Sequence, residues 1–395
     1  MNKGLDWGTA SVVACDQVPD KEDPSVMMPR YRTQRNCYVE VIDSEFTRKM
    51  IERGGMSYIQ LGGDDRMLYV IGDHAIELAG MMSSQGVEVR RPMAAGTMQG
   101  DTRAMRIMQG IASSVLDEPD PNNNVVVYSL PAAPIDDPTK TIDRHQTLTE
   151  TALRRLGWEP KPIPEALAII YSMTPKLVSE DANKEIELTG LGMSFGGGMV
   201  NVCISYRGMP TINFSIANAK GMNQGSAGDW IDGQMFNAYK VEMGSLAACT
   251  MYKERFADFT KVRTVRTRED DEDLKAYAKF VASKSHIEKG DANWHYEVLA
   301  SMRVWYHSLL DWVMVKIAQE FNRVRPNING ALEIVIAGGT ATPPGFENIL
   351  QELLDNNPLP FDVSGIRKAD KPLWTVARGC QVAAEAGYAG STTHG

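Results

Sequence analysis

Two glycine turns, each flanked by apolar and β-branched segments, constrain this chain more than any other feature. The first lies between Leu5 and Cys15, where Gly8-Thr9 is followed by Val12-Val13, and it reads as strand, tight turn, strand. A similar segment recurs from Leu191 to Ile204 around Gly196-Gly197-Gly198. Aligned on the turn, Trp7 matches Phe195 and Gly8 matches Gly196, and both copies run into a strand ending near a cysteine, Cys15 and Cys203. A segment repeated after about half the chain points to internal duplication, so two related halves are expected.

The residues around the repeats alternate in type. Asn124 to Leu130 is a short apolar strand ended by Pro131, and a helix is expected from about Arg144 to Leu156, with Leu148, Ala152, Leu153 and Leu156 on one face. Pro164 opens another helix through Tyr171. After the second repeat, Lys261 to Arg268 alternates like a strand, and the acidic run Glu269 to Asp273 reads as a solvated surface insertion. From about Asn293 to Arg323, large apolar residues from Trp294 to Phe321 recur at three- and four-residue steps, the pattern of a core helix. Leu332 to Ile336 is a strand ended by Gly338-Gly339-Thr340, and residues 389–395 are expected to fray. Strands alternating with helices indicate an α/β fold, and 395 residues exceed what one hydrophobic core usually supports.

The formal net charge of -9 argues against wholesale nucleic-acid binding, which needs a basic face. Five cysteines, Cys15, Cys37, Cys203, Cys249 and Cys380, show no metal-type spacing and are odd in number, which fits buried thiols in a reducing compartment. His74, His145, His286, His295 and His307 form no ligand cluster either. The N-terminus has no charged-then-apolar signal and no window reaches roughly 18 apolar residues, so a cytoplasmic location is expected. Membrane contact would come only through a partner or an internal loop.

Glycine-rich turns at strand ends present clustered backbone N–H groups and leave no side chain in a phosphate's way. Three such turns, two related by duplication, imply a triphosphate held by two pseudo-equivalent hairpins, with a nucleoside against the third turn at Gly338-Gly339. Asp6 has two readings, a turn residue beside glycine or a carboxylate approaching magnesium through water. Glu165, at the start of a helix, reads by itself as a glutamate favoured by the helix N-terminus.

Gly4-Leu5-Asp6-Trp7-Gly8-Thr9-Ala10 resembles the first phosphate motif of the actin, Hsp70 and sugar-kinase superfamily, in a form close to that of MreB. Phe195-Gly196-Gly197-Gly198 resembles the second phosphate motif, and Ile336-Ala337-Gly338-Gly339-Thr340-Ala341 the adenosine motif. Arg91 to Met98 is similar to the MreB segment before the first connecting helix, Gly228-Asp229-Trp230-Ile231-Asp232 to the stretch after the second hairpin, and Pro372 to Gly379 to the second connecting helix. The order of motifs over nearly the whole chain resembles bacterial and archaeal actin-like ATPases of the MreB, MamK and ParM type. The resemblance implies an actin-like α/β fold of two duplicated ribonuclease-H-like domains around a nucleotide cleft. The first half would span 1–160, with an inserted subdomain at about 30–95. The second would span 161–395, with an insertion at about 232–295 and a last helix returning to the first half.

The same resemblance places ATP on Gly8, Thr9, Ala10, Gly196, Gly197, Gly198, Gly228, Gly338, Gly339 and Thr340, and Mg2+ near Asp6. Glu165 and Asp6 become the catalytic candidates. A helix Glu254 to Lys261, similar to one in MreB, would set Asp258 on the ribose and Lys261 beside adenine, unless it is simply an exposed amphipathic helix. Two departures stand out: Ser194 replaces the family's second aspartate and Met199 a threonine, which implies slow hydrolysis. The implied function is a cytoskeletal ATPase that assembles head to tail with itself and serves an unidentified cargo or adaptor. A small-molecule kinase or a non-polymerising regulatory ATPase on the same fold is the alternative.

Overall fold

The computed structural model describes residues 3–62, 66–82, 86–94, 96–98, 102–121, 123–173, 188–218, 227–262, 272–285, 287 and 290–388. The strand expected beyond Val262, most of the acidic run after it and the 389–395 tail lie outside these residues. In chain order the first elements are β1 (Lys3–Trp7), β2 (Ser11–Pro19), β3 (Met27–Arg35), β4 (Tyr38–Ile42), α1 (Glu45–Arg53), β5 (Tyr58–Gln60), β6 (Met67–Ile71), α2 (Asp73–Met81), β7 (Met93–Ala94) and β8 (Thr97–Met98). Next come α3 (Thr102–Val115), β9 (Val125–Leu130), α4 (Ile142–Arg155), β10 (Glu159–Pro164), α5 (Glu165–Ser172), β11 (Gly190–Phe195), β12 (Val200–Tyr206) and β13 (Met209–Ile216). The remainder is α6 (Ala227–Met243), α7 (Leu246–Phe256), α8 (Glu272–Lys284), α9 (Ala292–Val324), β14 (Leu332–Ala337), α10 (Phe346–Asn356), β15 (Val363–Lys368) and α11 (Thr375–Glu385).

The chain forms two units. The first comprises Met1–Ala133, Pro138–Ile186 and Trp374–Gly395, and the second Pro134–Asp137 and Glu187–Leu373. Residues 160–161 lie within strand β10, which pairs with β9 residue by residue from Glu159 to Pro164. A chain cannot leave a sheet in mid-strand without abandoning its ladder hydrogen bonds, so the crossing comes later.

In the first unit the sheet order is β10-β9-β1-β2-β3, with β1 antiparallel to β2 and parallel to β9. Leu5, Trp7 and Val12 share a core with Met105, Met108 and Ile111 of α3. On β1, Gly4 faces α11, because a Cβ there would lie 2.2 Å from the Ala377 carbonyl oxygen. Helix α11 also packs on α5, where a Cβ at Gly379 would lie 1.6 Å from the Ala168 carbonyl oxygen. A smaller sheet, β4-β6-β5, carries its own core of Val39, Val41, Leu68 and Val70, with Ile51 of α1 and Leu78 of α2.

Charge is buried at the start of β1. Lys3 Nζ pairs with Asp16 and, at 2.7 Å, with Asp117. Arg30 donates to both Asp16 oxygens at 2.9 and 2.6 Å, and Arg32 pairs with Asp117. Burial would raise the Asp16 carboxyl, but hydrogen bonds from Arg30 and Lys3 outweigh it and hold the group below the usual range. The hydrogen bond from Arg32, then Lys3, depresses Asp117 in the same direction.

The second unit repeats the plan, with order β13-β12-β11-β14-β15. In the first hairpin Gly4 faces Cys15, Asp6 faces Val13 and Trp7 faces Val12; in the second Gly192 faces Cys203, Ser194 faces Asn201 and Phe195 faces Val200. The register is the same at every matched position, as the duplication predicts. Beside each hairpin runs a parallel strand, β9 or β14. The long helix α9 buries Val298, Met302, Leu309, Val313 and Ile317 against this sheet's core, as its periodicity indicates. The segment Pro134–Asp137 lies on the β13 edge: Ile135 N–H donates to Ser215 O at 3.0 Å, and Asp136 accepts from Ala217 and Asn218 N–H at 2.8 Å each.

Two outcomes follow. Gly379→Val should cost about 3 kcal/mol or more, since backbone on the facing helix cannot yield as a side chain would, while Gly365→Ala, whose Cβ meets open space, should be nearly neutral. Urea midpoints of the two variants would show the difference. Asp16 and Asp117 are depressed in the folded state, so their stabilisation is present above the unfolded value near 4 and is lost as pH falls further. Asp16→Asn leaves buried Lys3 short of a partner and should cost about 3 kcal/mol at pH 7, with the gap to wild type narrowing in melts taken below pH 4.

Candidate functional site

A four-residue turn needs its ends tied, and in the first hairpin Gly8 N–H donates to Ser11 O at 3.1 Å. The turn is braced from outside by Asn36, whose side-chain amide donates to Gly8 O at 2.8 Å and whose N–H donates to Ala10 O at 2.9 Å. Thr9 is buried, and its hydroxyl accepts from Gly96 N–H at 3.0 Å, so the β7–β8 connection reaches this turn.

Asp6 is half-buried just before the turn. Ser129, at the matching position on β9, donates its hydroxyl to Asp6 Oδ1 at 2.8 Å while accepting from Trp7 N–H at 3.1 Å. Desolvation by burial raises the Asp6 carboxyl to about 6, against the opposing effect of the Ser129 hydrogen bond. Glu165 is the first residue of α5, directly after Pro164, as its helix-start pattern suggests. Both carboxylates bear on one group: burial, then Asp6, then Glu165, pushes the Cys380 thiol of α11 well above its ordinary value. Strand β1, which carries Asp6, and helix α5, which begins at Glu165, both pack against α11.

In the second unit the equivalent tie runs from Gly196 N–H to Met199 O at 3.0 Å. Gly196 O accepts from Gly228 N–H at 3.1 Å and from the Thr340 hydroxyl at 2.6 Å, and Asp229 N–H donates to Gly197 O at 2.7 Å. Buried Ala227, which opens α6, has φ of +57°, a backbone conformation non-glycine residues seldom adopt. A Cβ at Gly228 would come within 2.7 Å of Thr340 Oγ1 and 3.3 Å of Lys253 Nζ. At Gly338, φ is +99° and a Cβ would lie 2.3 Å from Phe195 O, so only glycine fits. Exposed Gly339 differs, since its nearest neighbour would be Leu373 Cδ1 at 3.6 Å. Gly196, Gly197, Gly228, Gly338 and Thr340 therefore form one backbone-lined cluster, with Gly198 in the same turn and Gly339 at its surface.

The helix expected over Glu254–Lys261 stops at Phe256. Ala257 is extended, and Asp258 Oδ1 accepts from Thr260 N–H at 3.0 Å and from its hydroxyl at 2.6 Å, closing a turn that also carries Lys261. An aspartate that can bond backbone two residues on competes with helix continuation, and here it wins. The cation beside Gly228 is Lys253, which the sequence reading passed over. Its Nζ donates to Gly228 O at 2.9 Å and pairs with Asp232 at 2.6 Å, while Thr250 donates to the other Asp232 oxygen at 2.7 Å. Burial raises the Asp232 carboxyl, and Lys253 opposes it. Lys253 shares a buried helix face with Cys249 and Phe256, and a lysine at that spacing was the available signal.

The second hairpin has no counterpart to the Asp6–Ser129 pair. Ser194 stands in the aspartate's place, buried, and Ala337 pairs with it where β9 has Ser129. Met199 is buried in the core rather than offering a hydroxyl to the turn. Among the described residues no group of three or more His, Cys, Asp or Glu could hold a metal, and no helix is long and apolar enough to cross a membrane.

Solved structures share this fold. A MamK double helical filament matches with a TM-score of 0.54 at 15% identity, covering 97% of this chain and 98% of that one. A non-polymerising MamK mutant bound to AMPPNP matches with a TM-score of 0.50 at 16% identity over the same shares. The fold is therefore actin-like. No curated protein matches the sequence. The family described as Volactin matches residues 1–384, and the chain belongs to that family.

Proposed function

We infer that this chain binds ATP with magnesium, assembles into head-to-tail filaments and hydrolyses the nucleotide slowly. The observation that carries the reading is the repeated hairpin, in one register and with one turn hydrogen bond in each half. Backbone N–H groups at Thr9 and Ala10, and at Gly197 and Gly198, would hold phosphate oxygens, with Gly8 and Gly196 closing the two turns and leaving room for the ligand. The absence of side chains at Gly228 and Gly339 fits a nucleoside lying against the third turn with Thr340. Asp258 and Lys261, on the turn after α7, are the candidates for the ribose and the adenine, and Lys253 is a further cation set against Gly228. The MamK relatives support the reading, one solved as a filament and one with AMPPNP.

Asp6 would position a magnesium-bound water and Glu165 would orient the attacking water. Magnesium would supply charge neutralisation on the phosphates. With Ser194 and Ala337 opposite, the second hairpin adds no carboxylate, so phosphate binding rests on backbone and turnover is slow. Self-association supplies the main partner, cargo or adaptor proteins would join from the cytoplasm, and neither nucleic acid nor direct membrane insertion is needed.

Calorimetry with millimolar Mg-ATP should show binding, and at a hundredfold excess over Kd the ligand should add about 2.7 kcal/mol of stability. Gly339→Val should abolish the heat while leaving the ligand-free melt unchanged, because its Cβ meets no backbone; full binding by that variant would remove the third turn from the site. In steady-state phosphate release, Glu165→Ala should slow turnover by roughly 10²–10⁴-fold. Ser194→Asp should raise the rate and its magnesium dependence, and brisk wild-type hydrolysis unchanged by Ser194→Asp would contradict the slow-turnover mechanism.

A further inference from the structure

The second unit carries a rigid apolar tip and, on different elements, an apolar groove. Tyr206 pairs with Met209 across the β12–β13 hairpin, leaving Arg207-Gly208 as a two-residue turn with φ of +51° and +80°. Both central residues at positive φ make the tight turn whose twist matches its strands, and arginine at the first of them is unusual. The turn is pinned by Arg207 N–H to the Thr189 hydroxyl and Gly208 N–H to Leu188 O, each 3.0 Å. Met209 is consequently held out at 68% exposure on a stiff support, with exposed Arg207 beside it, its guanidinium over the Tyr206 ring at 5.5 Å. The tip closes the end of β12 remote from the Gly196 turn.

The groove lies at the last turn of α6 and along α7, with a volume of about 440 Å³. Val241, Met243, Met251, Tyr252 and Phe256 line it, together with Glu242. Val241 and Met251 are 74% and 62% exposed. The other charged group of the lining, Arg255, lies over the Phe256 ring at 5.0 Å.

We propose that this groove is an assembly surface whose occupant is the β12–β13 tip of a second copy of the chain, Met209 entering the groove and Arg207 meeting Glu242. The proposal rests on the filament reading and names its contact. Three observations select this occupant. The tip needs no ordering on binding, so little conformational entropy is lost. An unbranched thioether suits an irregular apolar groove. The cation beside Met209 complements the carboxylate among the groove residues, which fixes orientation. Because tip and groove are different patches of one unit, the contact is heterologous: each copy that donates its tip still offers its groove, as an open chain requires.

The five native cysteines are buried, so introduced ones report alone. In the full chain with Mg-ATP, Met209→Cys combined with Met251→Cys should give a ladder of covalent multimers with a short bis-maleimide, whereas each single variant should not. Glu242→Arg and Arg207→Glu should each raise the critical concentration for sedimentation about tenfold, and the two together should bring it back towards wild type. That rescue separates an intermolecular ion pair from simple damage to either surface. Polymer that sediments normally in both charge variants and gives no ladder would overturn this contact and leave the filament reading standing. Wild-type protein that stays monomeric with ATP, ADP and no nucleotide would overturn both.

Discussion

The hydrogen bond that closes each glycine turn, Gly8 N–H to Ser11 O and Gly196 N–H to Met199 O, fixes how the two strands of each hairpin meet. In an antiparallel pair a slip of one residue sends every side chain to the opposite face. With the turn tied at four residues, Leu5, Trp7 and Val12 must face the core shared with α3, and Gly4 must face α11. The same tie in the second half faces Phe195 and Val200 into the other core. Every later element of each sheet is placed by pairing outwards from these hairpins.

On that shared frame the halves have diverged chemically. The first hairpin keeps a partly desolvated carboxylate, raised towards 6, and a serine that both supports it and accepts from the backbone. The second replaces both, with Ser194 and Ala337, and sets Asn201 where the first has Val13. Of these matched replacements, the aspartate's removes a charge from one side only and the serine's removes the hydroxyl that supported it. The backbone geometry, which comes from the turn and not from these side chains, is kept in both halves. The proposed recognition of an anion by N–H groups therefore needs no carboxylate on the hairpin itself.

The sequence displayed the duplication, the α/β class, the long helix α9 and the positions of the three glycine turns, because each is written in local spacing. It did not show Asn36 bracing the first turn, or Gly96 reaching Thr9, since those contacts join residues distant in sequence through ordinary loop backbone. Lys253 was legible in principle on a buried helix face, while the family resemblance rests on the Glu-Arg pattern just after it and implies Asp258 and Lys261. There the local competition of an aspartate side chain for backbone N–H groups ended the helix, which a resemblance based on residue order does not weigh. Position 160–161 is likewise unmarked in the sequence: β10, followed at once by Pro164 and α5, gives no composition shift there.

The Pro134–Asp137 segment sets an order on folding. Strand β13 gains its outer neighbour, and the N–H groups of Ala217 and Asn218 gain the Asp136 carboxylate, only from residues made some eighty positions earlier. The second unit is thus not a contiguous stretch of chain, and a fragment beginning at its own first strand would present an open sheet edge and two unsatisfied donors. During synthesis the early segment must wait, uncommitted, until β13 emerges. The duplication that makes the halves look like separable modules coexists with a stitch that makes one of them incomplete without the other's length of chain.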